Sequence, residues 1–474
     1  MDEAAVRIQQ LEQEVELLRQ DNAQLCKDNA QLRALVEKLM AVLKSNSANS
    51  HKPPRTDSPK DKDKRKKKKP GSGRRRGGQK GHKGHHRQMV EPDKVDLFID
   101  CIPDQCNNCG TALTGTDCKP HRHQVVELPK VTPHVTEYRL HRRRCSCCKT
   151  TTKGQLPTGV TWSNFGPRLQ ACCALLTAKY HLSKDDTVEA LSDMMGIDLS
   201  AASVCNNEAR VGQALEVSSD EALEYLRSCS SLHMDETSWR TNNYMSWLWT
   251  VSSGPVALYA VCDERAGIVA RELLGEGFQG IVHTDRYCGY NHLPDQQRQY
   301  CWSHLLRDFQ AMSLRSGLCG QIGQKLVQTT RKMFKLTRRV RDGTICRAEF
   351  VEKMVPIQKQ IRENLAQGSG LQQRPFGSMC KSLVKHEICL WHFVGRCDVE
   401  ATNNEAERNM RRGVLWRVRS GGNDSVGGTI FTERILTVVE TMRRQGRSAL
   451  EFVTDTLKAV WSGLKPPSLL PLPS

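Results

Sequence analysis

The stretch from residue 230 to residue 285 constrains the fold more than any other part of the chain. Short apolar runs separated by turns predict strands in SLHMDETSWR, MSWLWTVSS and VALYAVCD, then a helix in AGIVARELLGE and a fourth strand in GIVHTD. Three strands, a helix and a fourth strand is the order of an RNase-H-like domain. Asp235 then lies in the first strand and Asp285 just after the fourth. Because those two strands are neighbours in such a domain, we expect the two carboxylates to lie close together.

A third acid is predicted on a later helix, in ATNNEAERNMRR, where Thr402 can cap the helix and Glu407 follows. Three carboxylates suit Mg²⁺, which prefers oxygen ligands. Two such ions about 3.5–4 Å apart can neutralise both the entering and the leaving oxygen in phosphodiester chemistry. Each acid alone has a plainer interpretation, since an Asp at a strand end is often a turn former and a helical Glu is often solvated or ion-paired.

Residues 4–44 carry a heptad repeat. The d positions are Leu11, Leu18, Leu25, Leu32 and Leu39. The a positions include β-branched residues and two asparagines, Asn22 and Asn29. This pattern predicts a parallel two-stranded coiled coil in which the asparagines fix the register at a cost in stability. The alternative is an amphipathic helix that packs on its own domain.

The formal net charge of +18 is concentrated in one segment. Residues 51–87 hold sixteen Lys or Arg and three Asp, and so carry +13 of the total. Such a run does not fold alone, and we expect it to bind phosphates with strong salt dependence and without sequence choice. The DNA contacts predicted in it are Lys64, Arg65, Lys66, Lys67, Lys68, Lys69, Arg74, Arg75 and Arg76. A localisation signal or a solubilising tail is the alternative.

Two Cys-x-x-Cys pairs predict a zinc site. The predicted ligands are Cys106, Cys109, Cys145 and Cys148. Each pair has the knuckle spacing that places two thiolates on one tetrahedral ion, and the intervening QVVELPKVTPHVTEYRLHRRR alternates like two strands. The segment therefore predicts a zinc ribbon whose basic strand presents Arg142, Arg143 and Arg144 to DNA. Alternative ligands are Cys101, Cys118, Cys147, His121 and His123.

Residues 164–218 are predicted to be helical throughout. Ser183 can cap one helix, Gly196 can make a turn and Ser200 can cap a second helix, as in a helix-turn-helix. Three-helix packing units share this pattern, so DNA reading by the second helix is one of two interpretations.

The N-terminal sequence, the lengths of the apolar runs and the cysteine count indicate where in the cell the protein is expected. The start MDEAAVRIQQ lacks the apolar region of a signal peptide, and no run of about 18 apolar residues predicts a membrane span. Twenty cysteines without a secretion signal favour a reducing cytosol with some thiols on metal. We therefore expect a cytoplasmic protein that does not contact membranes.

Taken in order, these motifs resemble the insertion-sequence-66 family of bacterial transposases. The matching segments are HMDETSWR around Asp235, TDRYCGYN around Asp285, CWSHLLRDF at 301–309 and TNNEAERNMRRGVLWR around Glu407. The heptad start, the NSHKPPRTD linker, the RGGQKGHKGH segment, the paired cysteines and the LSKDD module also agree. The resemblance covers nearly the whole chain, through the PSLLP tail.

The resemblance implies a DDE-type transposase with a retroviral-integrase-like core whose acids are Asp235, Asp285 and Glu407. The adjacent acids Glu236 and Glu405 are reserve candidates. Asp285 and Glu407 are 122 residues apart, which implies a helical insertion at 315–398. Within it, KLVQTTRKMFKLTRRVRD and FVEKMVPIQKQIRENLAQ predict two amphipathic helices.

Cys301 and His304 match a Cys-x-x-His motif that related transposases carry after the second acid. The motif would support the active site or hold the scissile strand, and a packed strand-to-helix corner is the alternative.

Four arginines near the third acid are predicted phosphate contacts. They are Arg408, Arg412, Arg417 and Arg419. The sequence departs from the family at Val418, where many relatives have Lys, and at Arg286, where Gly is common. These departures leave open whether this copy is fully active.

The sequence thus predicts a multidomain α+β protein. The expected units are a coiled-coil helix (1–45), a basic disordered linker (46–95), a zinc ribbon (96–155), a helix-turn-helix-like DNA-binding module (160–225), an RNase-H-like α/β catalytic core (228–314 and 399–440) with a helical insertion (315–398), and a C-terminal helix and tail (441–474). The predicted function is that of an insertion-sequence transposase, nucleoid-associated in a bacterial cytoplasm. It would bind terminal inverted repeats and cut and join double-stranded DNA with Mg²⁺ or Mn²⁺, while Zn²⁺ holds the ribbon.

The expected partners are element ends and target DNA, a second copy through the coiled coil with higher assembly on DNA as one option, and accessory proteins of the same element. Two other classes compete with this function. A catalytically inactive DNA-binding regulator would use the same basic and zinc-binding features. A zinc-ribbon scaffold for RNA is the third class, and the lack of stacking aromatics near the basic run weighs against it.

Overall fold

The computed structural model describes residues 3–43, 46, 88–115, 117, 119–372 and 374–471. The nine lysines and arginines predicted to contact DNA between residues 64 and 76 lie outside these ranges, as does Cys118. The described chain is a mixed α/β protein with fourteen helices, a two-stranded hairpin and a five-stranded mixed sheet.

The N-terminal heptad region is one helix, α1 (Glu3–Leu43). The predicted d positions Leu18, Leu25 and Leu32 are more than half exposed in the single chain, at 55–57%. No described core cluster includes them. The predicted seam residues therefore lie on one helix, and no core cluster in the described part of the chain covers them.

The region predicted as a zinc ribbon contains fewer strands than expected. After a short 3₁₀ turn at Pro92–Lys94, the only strands in this described region are β1 (Arg142–Arg144) and β2 (Thr151–Lys153), which form an antiparallel hairpin. Residues 124–140, predicted to alternate as two strands, are unpaired. Their apolar side chains, such as Val125 and Val135, are exposed, so packing does not supply the partner that a half-buried strand needs.

Four helices precede the large sheet: α2 (Pro167–Ala178), α3 (Lys184–Met195), α4 (Ala201–Ala214) and α5 (Glu216–Arg227). The predicted start and stop signals are confirmed. Ser183 caps α3 in a capping box with Asp186, Gly196 ends it in the left-handed region, and the Ser200 side chain caps α4.

Three of these helices, α2, α4 and α5, share a core with the sheet in the region where the sequence predicts a separate module. Their buried residues, such as Leu175 and Val211, belong to the same hydrophobic core as the sheet and the C-terminal helices. Gly212 of α4 faces the backbone of Phe431 so closely that a Cβ would lie 3.0 Å from its Cα. The second helix of the pair is therefore anchored inside the core domain by one face.

The sheet contains β3 (Ser231–Thr241), β4 (Tyr244–Ser253), β5 (Val256–Cys262), β6 (Ile281–Thr284) and β7 (Arg298–Tyr300), in the order β5-β4-β3-β6-β7. The first three strands are antiparallel neighbours, whereas β6 and β7 run parallel to β3 and to each other. Helix α6 (Gly267–Leu274) lies between β5 and β6 in the chain. The predicted succession of three strands, a helix and a fourth strand is thus observed.

A two-residue turn joins β3 to β4. Asn242 and Asn243 have φ values of 50° and 65°, which a type I′ hairpin turn requires and asparagine tolerates. This turn fixes the register in which β3 pairs with β4, from Thr241 opposite Tyr244 to His233 opposite Ser252.

The predicted helical insertion is observed as α8 (Gly317–Arg341), α9 (Arg347–Ser369), α10 (Phe376–Lys385), a 3₁₀ turn (Glu387–Leu390) and α11 (His392–Gly395). It follows α7 (Trp302–Ser313). Its apolar residues form a second core with Trp302, Leu305 and Phe309 of α7. The insertion therefore packs on the element that directly follows the sheet.

The chain ends with α12 (Asn404–Ser420), α13 (Val426–Gln445) and α14 (Ala449–Trp461). The predicted division at residue 440 falls inside α13, so the last helices belong to the core domain. The tail also folds back, because Leu469 is fully buried and its carbonyl accepts a hydrogen bond from Gln445 Nε2 at 2.9 Å.

Helix α13 covers the outer edge of the sheet. The amides of Ala257, Tyr259 and Val261 on β5 donate to the side chains of Thr441, Thr437 and Glu433. Four residues of a helix rise about 6 Å and two residues of a strand rise about 6.6 Å. Every fourth side chain of α13 therefore lies opposite every second amide of β5. This contact satisfies the donors of an edge strand that would otherwise invite pairing with another chain.

Glu433 makes the edge contact sensitive to pH. Burial raises the pKa of this carboxyl to about 7, although the Val261 amide and Arg434 act in the opposite direction. Because the pKa is higher in the folded protein than in the unfolded chain, the folded protein keeps this proton to a higher pH. The Glu433 carboxyl therefore lowers the free energy of unfolding as pH rises from about 4 through 7.

We therefore expect Glu433→Gln, which keeps an acceptor for Val261, to gain stability relative to the parent as pH rises. The difference in unfolding free energy between variant and parent should grow by about 1–3 kcal/mol between pH 5 and pH 8. Urea denaturation at both pH values measures it, with Glu451→Gln on the exposed start of α14 as the control. A difference that does not change with pH would contradict the assignment.

Candidate active site

Two of the predicted acids come from neighbouring parallel strands. His233 of β3 pairs in register with His283 of β6, and Asp235 and Asp285 each follow two residues later. Because side chains alternate along a strand, each Asp extends to the same face as its histidine. The strand register therefore places the two carboxylates side by side at one end of β6.

The third predicted acid comes from α12, which packs on β3 and β4. Glu407 lies in the first turn of this helix and is half-buried. The pKa of Asp235 is raised well above its usual range by burial first, and then by the negative charges of Glu236, Asp285 and Glu407. The three predicted acids thus share one electrostatic field although they lie far apart in the chain.

Backbone amides hold one oxygen of each strand acid. The Glu236 amide donates to Asp235 Oδ1 at 3.0 Å, and the Tyr287 amide donates to Asp285 Oδ1 at 2.8 Å. These bonds fix the carboxylates before any ligand arrives.

The reserve acid Glu236 is bound within the protein. Its side chain is buried and accepts hydrogen bonds from Arg265 Nη2 at 2.7 Å and from the Tyr290 hydroxyl at 2.6 Å. Arg265 also stacks over the ring of Tyr287, with its guanidinium carbon 3.9 Å from the ring centroid. Glu236 therefore has internal partners, although its charge still reaches Asp235.

The second reserve acid, Glu405, lies in a different polar cluster. Its Oε1 accepts from Ser252 Oγ at 3.0 Å and from Arg444 at 2.8 Å, and its Oε2 lies 3.8 Å from His233 Nε2. Arg444 also donates to Asn409 Oδ1. This cluster ties α12 to β4 and α13, so Glu405 has a structural role that Glu407 does not share.

A buried histidine pair lies beside the two strand acids. The rings of His233 and His283 stack with centroids 4.0 Å apart. His283 Nδ1 lies 2.8 Å from the Leu232 carbonyl, and its Nε2 accepts the Glu400 amide. Burial lowers the pKa of both imidazoles, which favours the neutral rings that can stack in this way.

Asn403 joins this pair to the helix of the third acid. Its side chain lies 3.0 Å from His233 Nδ1 and donates to the Met234 carbonyl at 2.6 Å. The prediction that Thr402 caps the helix is wrong, because α12 begins at Asn404 and its N-cap residue is Asn403. The Asn403 side chain makes no capping hydrogen bond. The Asn403 side chain turns into the core instead.

Gly413 allows α12 to lie close to the sheet. A Cβ at this position would lie 2.2 Å from Leu248 Cδ2 of β4. Any larger residue would therefore require the Leu248 side chain or the helix to move.

Cys301 and His304 lie next to the third acid. Cys301 precedes α7, His304 lies in its first turn, and their ligand atoms and a Glu407 oxygen all lie within 4.8 Å of one another. Arg307, one turn further, approaches the same carboxylate at 3.5 Å. Sequence reasoning missed Arg307 and Asn403; the three-residue spacing from His304 to Arg307 on one helix face was the available signal for the former.

The predicted phosphate-binding arginines differ in their surroundings. Arg408 and Arg419 are exposed. Arg412 donates to the buried Glu440 at 2.8 Å, and Arg417 donates to Thr237 and Ser238 of β3. Contact with DNA stays a prediction for all four, and the described geometry favours the two exposed ones.

The two departures from the family pattern also have places in the structure. Arg286 donates to Asp308 of α7 at 2.6 Å, which ties the segment after Asp285 to that helix. Val418 is exposed. Neither residue displaces one of the acids.

The two cysteine pairs adopt the same local fold. The Cys106 and Cys145 amides donate to the carbonyls of Thr111 and Thr150, and their own carbonyls accept the amides of Gly110 and Lys149. Gly110 and Lys149 both have positive φ, 73° and 60°.

The second cysteine of each pair is electrostatically prepared for a cation. Hydrogen bonds, first from Thr111, lower the pKa of Cys109. Corresponding bonds, first from Thr150, lower the pKa of Cys148 to about 7. Among the described residues the two pairs do not converge into one cluster of at least three ligand atoms within 4.8 Å, so the zinc ligand set stays a prediction. Arg142, Arg143 and Arg144 form β1 beside the second pair and are exposed.

Within the described ranges, no helix has the length and apolar character needed to span a membrane.

Comparison with known proteins gives two family matches. A sequence family described as "Transposase IS66 family" matches residues 163–429, which includes all three acids and the helical insertion. A family of unknown function, DUF6444, matches residues 1–88.

One curated relative is an uncharacterized protein, y4qI, of Sinorhizobium fredii (strain NBRC 101917 / NGR234). It is 25% identical over 307 residues. The match covers 58% of this chain and 56% of the relative, so the chain spans little more than half the length of that protein.

The geometry predicts a large effect of Arg444 on stability. Arg444→Met would leave Glu405 buried without its cationic partner, and we expect a loss of about 3 kcal/mol in unfolding free energy. Arg411→Met, on the exposed side of α12, should change it by less than about 0.5 kcal/mol. Urea denaturation of both variants measures this, and equal losses would contradict the role given to the cluster.

Proposed function

Because the chain belongs to the IS66 transposase family, we propose that it is a divalent-metal-dependent DNA transposase with Asp235, Asp285 and Glu407 as its acids. The observation that supports the proposal is the origin of these carboxylates in β3, in the residue after β6 and in α12, with the negative charges of Asp285 and Glu407 acting on Asp235. The family match supports a transposase role for residues 163–429. The catalytic triad, the metals and the DNA sequence bound are our proposals.

The sheet order supports an RNase-H-like core. Three antiparallel strands are followed by two parallel ones, with β3 central and β6 beside it. In this arrangement the first two acids come from adjacent strands and the third from a helix laid across them.

The donor set fits Mg²⁺ or Mn²⁺. All three ligands are carboxylates, which hard divalent cations prefer. Burial first, and then repulsion from the neighbouring acids, raises the pKa of Asp235, and a bound cation would offset that repulsion. Within the described residues, the three acids do not lie within 4.8 Å of one another as ligands of one ion would. Two ions about 3.5–4 Å apart would not require all three acids to bind the same ion. Such a pair would neutralise charge on the entering and leaving oxygens.

The chain's own groups have distinct tasks in this proposal. The amides of Glu236 and Tyr287 hold one oxygen each of Asp235 and Asp285, which leaves the other oxygen of each for the site. Arg408, exposed one residue beyond Glu407, is placed to contact a phosphate. In the first reaction, water attacks the phosphorus at the element end and a 3′-hydroxyl leaves. In the second, that hydroxyl attacks a target phosphodiester, and the target's own 3′ oxygen leaves.

The N-terminal half would gather two element ends. The shared fold and lowered thiol pKa values of Cys109 and Cys148 support Zn²⁺ binding with Cys106 and Cys145. The basic segment would add phosphate contacts, and the exposed leucine seam of α1 supports a coiled-coil dimer. Terminal inverted repeats as the DNA bound, and accessory proteins of the same element, complete the proposal.

The three proposed acids should be required for strand transfer but not for DNA binding. Strand transfer by the full chain on a fluorescent duplex of its own element's end, with Mg²⁺ or Mn²⁺, should fall on the order of 10³-fold or more in Asp235→Ala, Asp285→Ala and Glu407→Ala. DNA binding by gel shift should persist, because no DNA contact is removed. Asp263→Ala, an exposed acid at the far edge of the sheet, is the matched control.

Two outcomes would change the proposal. Activity retained by Glu407→Ala but lost in a folded Glu405→Ala would make Glu405 the third acid. A parent protein that binds DNA yet gives no product, even with the accessory proteins, would favour the non-catalytic regulator.

The leucines at the d positions of α1 should be required for self-association. Leu18→Asp places a charge in the d seam and should weaken self-association at least about tenfold, which corresponds to about 1.4 kcal/mol. Leu17→Asp, one residue away and equally exposed in the single chain, lies outside the seam and should have little effect. Sedimentation equilibrium measures both, and equal effects of the two substitutions would argue against the predicted register.

A further inference from the structure

The described residues contain one cluster of mixed soft and hard metal ligands: Cys301 Sγ, a ring nitrogen of His304 and a carboxylate oxygen of Glu407, all within 4.8 Å of one another. We infer that these three side chains form a Zn²⁺ site that shares Glu407 with the proposed triad, so that Zn²⁺ and the catalytic cation compete. The competition rests on the proposed function, whereas the Zn²⁺ site stands on the cluster itself.

The spacing fits a single small cation. His304 Nδ1 lies 3.5 Å from Glu407 Oε1. Zinc bonds of about 2.0–2.3 Å in a tetrahedron separate neighbouring ligand atoms by roughly 3.3–3.7 Å. The His304–Glu407 separation falls in this range, and the Cys301 sulfur lies within 4.8 Å of both ligand atoms.

The surroundings of the sulfur suit a metal thiolate. Cys301 is 1% exposed, and its Sγ accepts the Asn403 amide at 3.1 Å. Burial raises the pKa of this thiol to about 11, and hydrogen bonds from the Asn403, His304 and Ser303 amides partly offset that rise. An apolar thiol in a core needs no such set of donors, whereas donors around a ligand atom orient it and tune the metal.

The elements hold the ligands rigidly on two sides. Cys301 and His304 flank the first turn of α7, and Trp302 between them is fully buried with its indole donating to the Leu390 carbonyl. Glu407 approaches from α12, whose position is fixed by Asn403 and by the Arg444 cluster. Three protein ligands leave a fourth position for water, as in open zinc sites.

The ligand types select the ion. Thiolate and imidazole favour Zn²⁺ or Co²⁺ over Mg²⁺, which keeps to oxygen. Binding releases the thiol proton to solvent. Arg307 faces the same Glu407 oxygen at 3.5 Å, so the cation would take over a charge interaction that Arg307 makes in its absence.

A shared ligand makes the two sites antagonistic. With Glu407 turned to the Cys301 side, the cation held by Asp235 and Asp285 loses one carboxylate. By linkage, each ion must weaken the binding of the other to the same degree. Free Zn²⁺ would thus restrain the proposed reaction without touching DNA.

The test uses the full chain with the four predicted ribbon ligands and the three alternative thiol ligands replaced by Ser, so that the other predicted thiolates are silent. The replaced residues are Cys106, Cys109, Cys145 and Cys148, with Cys101, Cys118 and Cys147. Titration with Co²⁺ should give a near-ultraviolet thiolate-to-cobalt band that saturates at one equivalent. Cys301→Ser should abolish the band. Cys380→Ser, an equally buried cysteine in the insertion core, should retain it.

Competition is read in the same proteins by the electron paramagnetic resonance signal of free Mn²⁺. One equivalent of Zn²⁺ should release Mn²⁺ in the background protein and in Cys380→Ser, and at least tenfold more Zn²⁺ should be needed in Cys301→Ser. If Cys301→Ser does not fold by circular dichroism, His304→Gln replaces it, and the Co²⁺ affinity should then fall at least tenfold.

The two proposals fail in different ways. Absence of the cobalt band, or a band unaffected by the Cys301 and His304 substitutions, would overturn the Zn²⁺ site. Bound Mn²⁺ that one equivalent of Zn²⁺ does not displace would overturn the competition. A cobalt band in a protein that binds no Mn²⁺ would uphold the Zn²⁺ site and count against the proposed triad.

Discussion

The docking of α12 on β3 and β4 is the interaction on which the site depends. It is made by polar groups that would be costly to bury singly: Asn403 bonds to the Met234 carbonyl and His233, and Glu405 bonds to Ser252 and Arg444. Each group is satisfied only when the helix lies in one position. Because Glu407 is in the first turn of the same helix, that position also sets its distance from Asp235 and Asp285.

The other large elements keep this arrangement in place. Helix α13 satisfies the outward amides of β5 and supplies Arg444 to the cluster below α12. The insertion builds its own core on α7, the helix that carries His304 and Arg307 toward Glu407. The long separation between the second and third acids is thus filled by a unit that supports the site from one side, while α13 supports it from the other.

Local signals in the sequence predicted much of this fold. Ser183, Gly196 and Ser200 mark helix ends through backbone groups within a few residues, and the structure confirms all three. Strand order around Asp235 and Asp285 follows from short apolar runs, and it is observed. Prediction failed where partners are distant: Thr402 has the chemistry of a cap, but the side chain of its neighbour Asn403 is drawn toward His233, 170 residues away. The pattern of α4 fits a recognition helix or a packing helix, and no local signal indicates the close approach of its Gly212 to Phe431 of α13.

The sequence by itself determined the heptad helix, the cysteine knuckles, the order of strands and the three candidate acids, because each rests on residue type and short spacing. Only the tertiary structure gave Glu236 and Glu405 their internal partners, Arg265 and Tyr290 for Glu236 and Ser252 and Arg444 for Glu405. It also brought Cys301 and His304 to Glu407 and directed Arg412 and Arg417 to internal partners. Several of these contacts join residues about 100 or more positions apart, such as His304 with Glu407 and Arg417 with Thr237, and all of them are set by the packing of the whole domain.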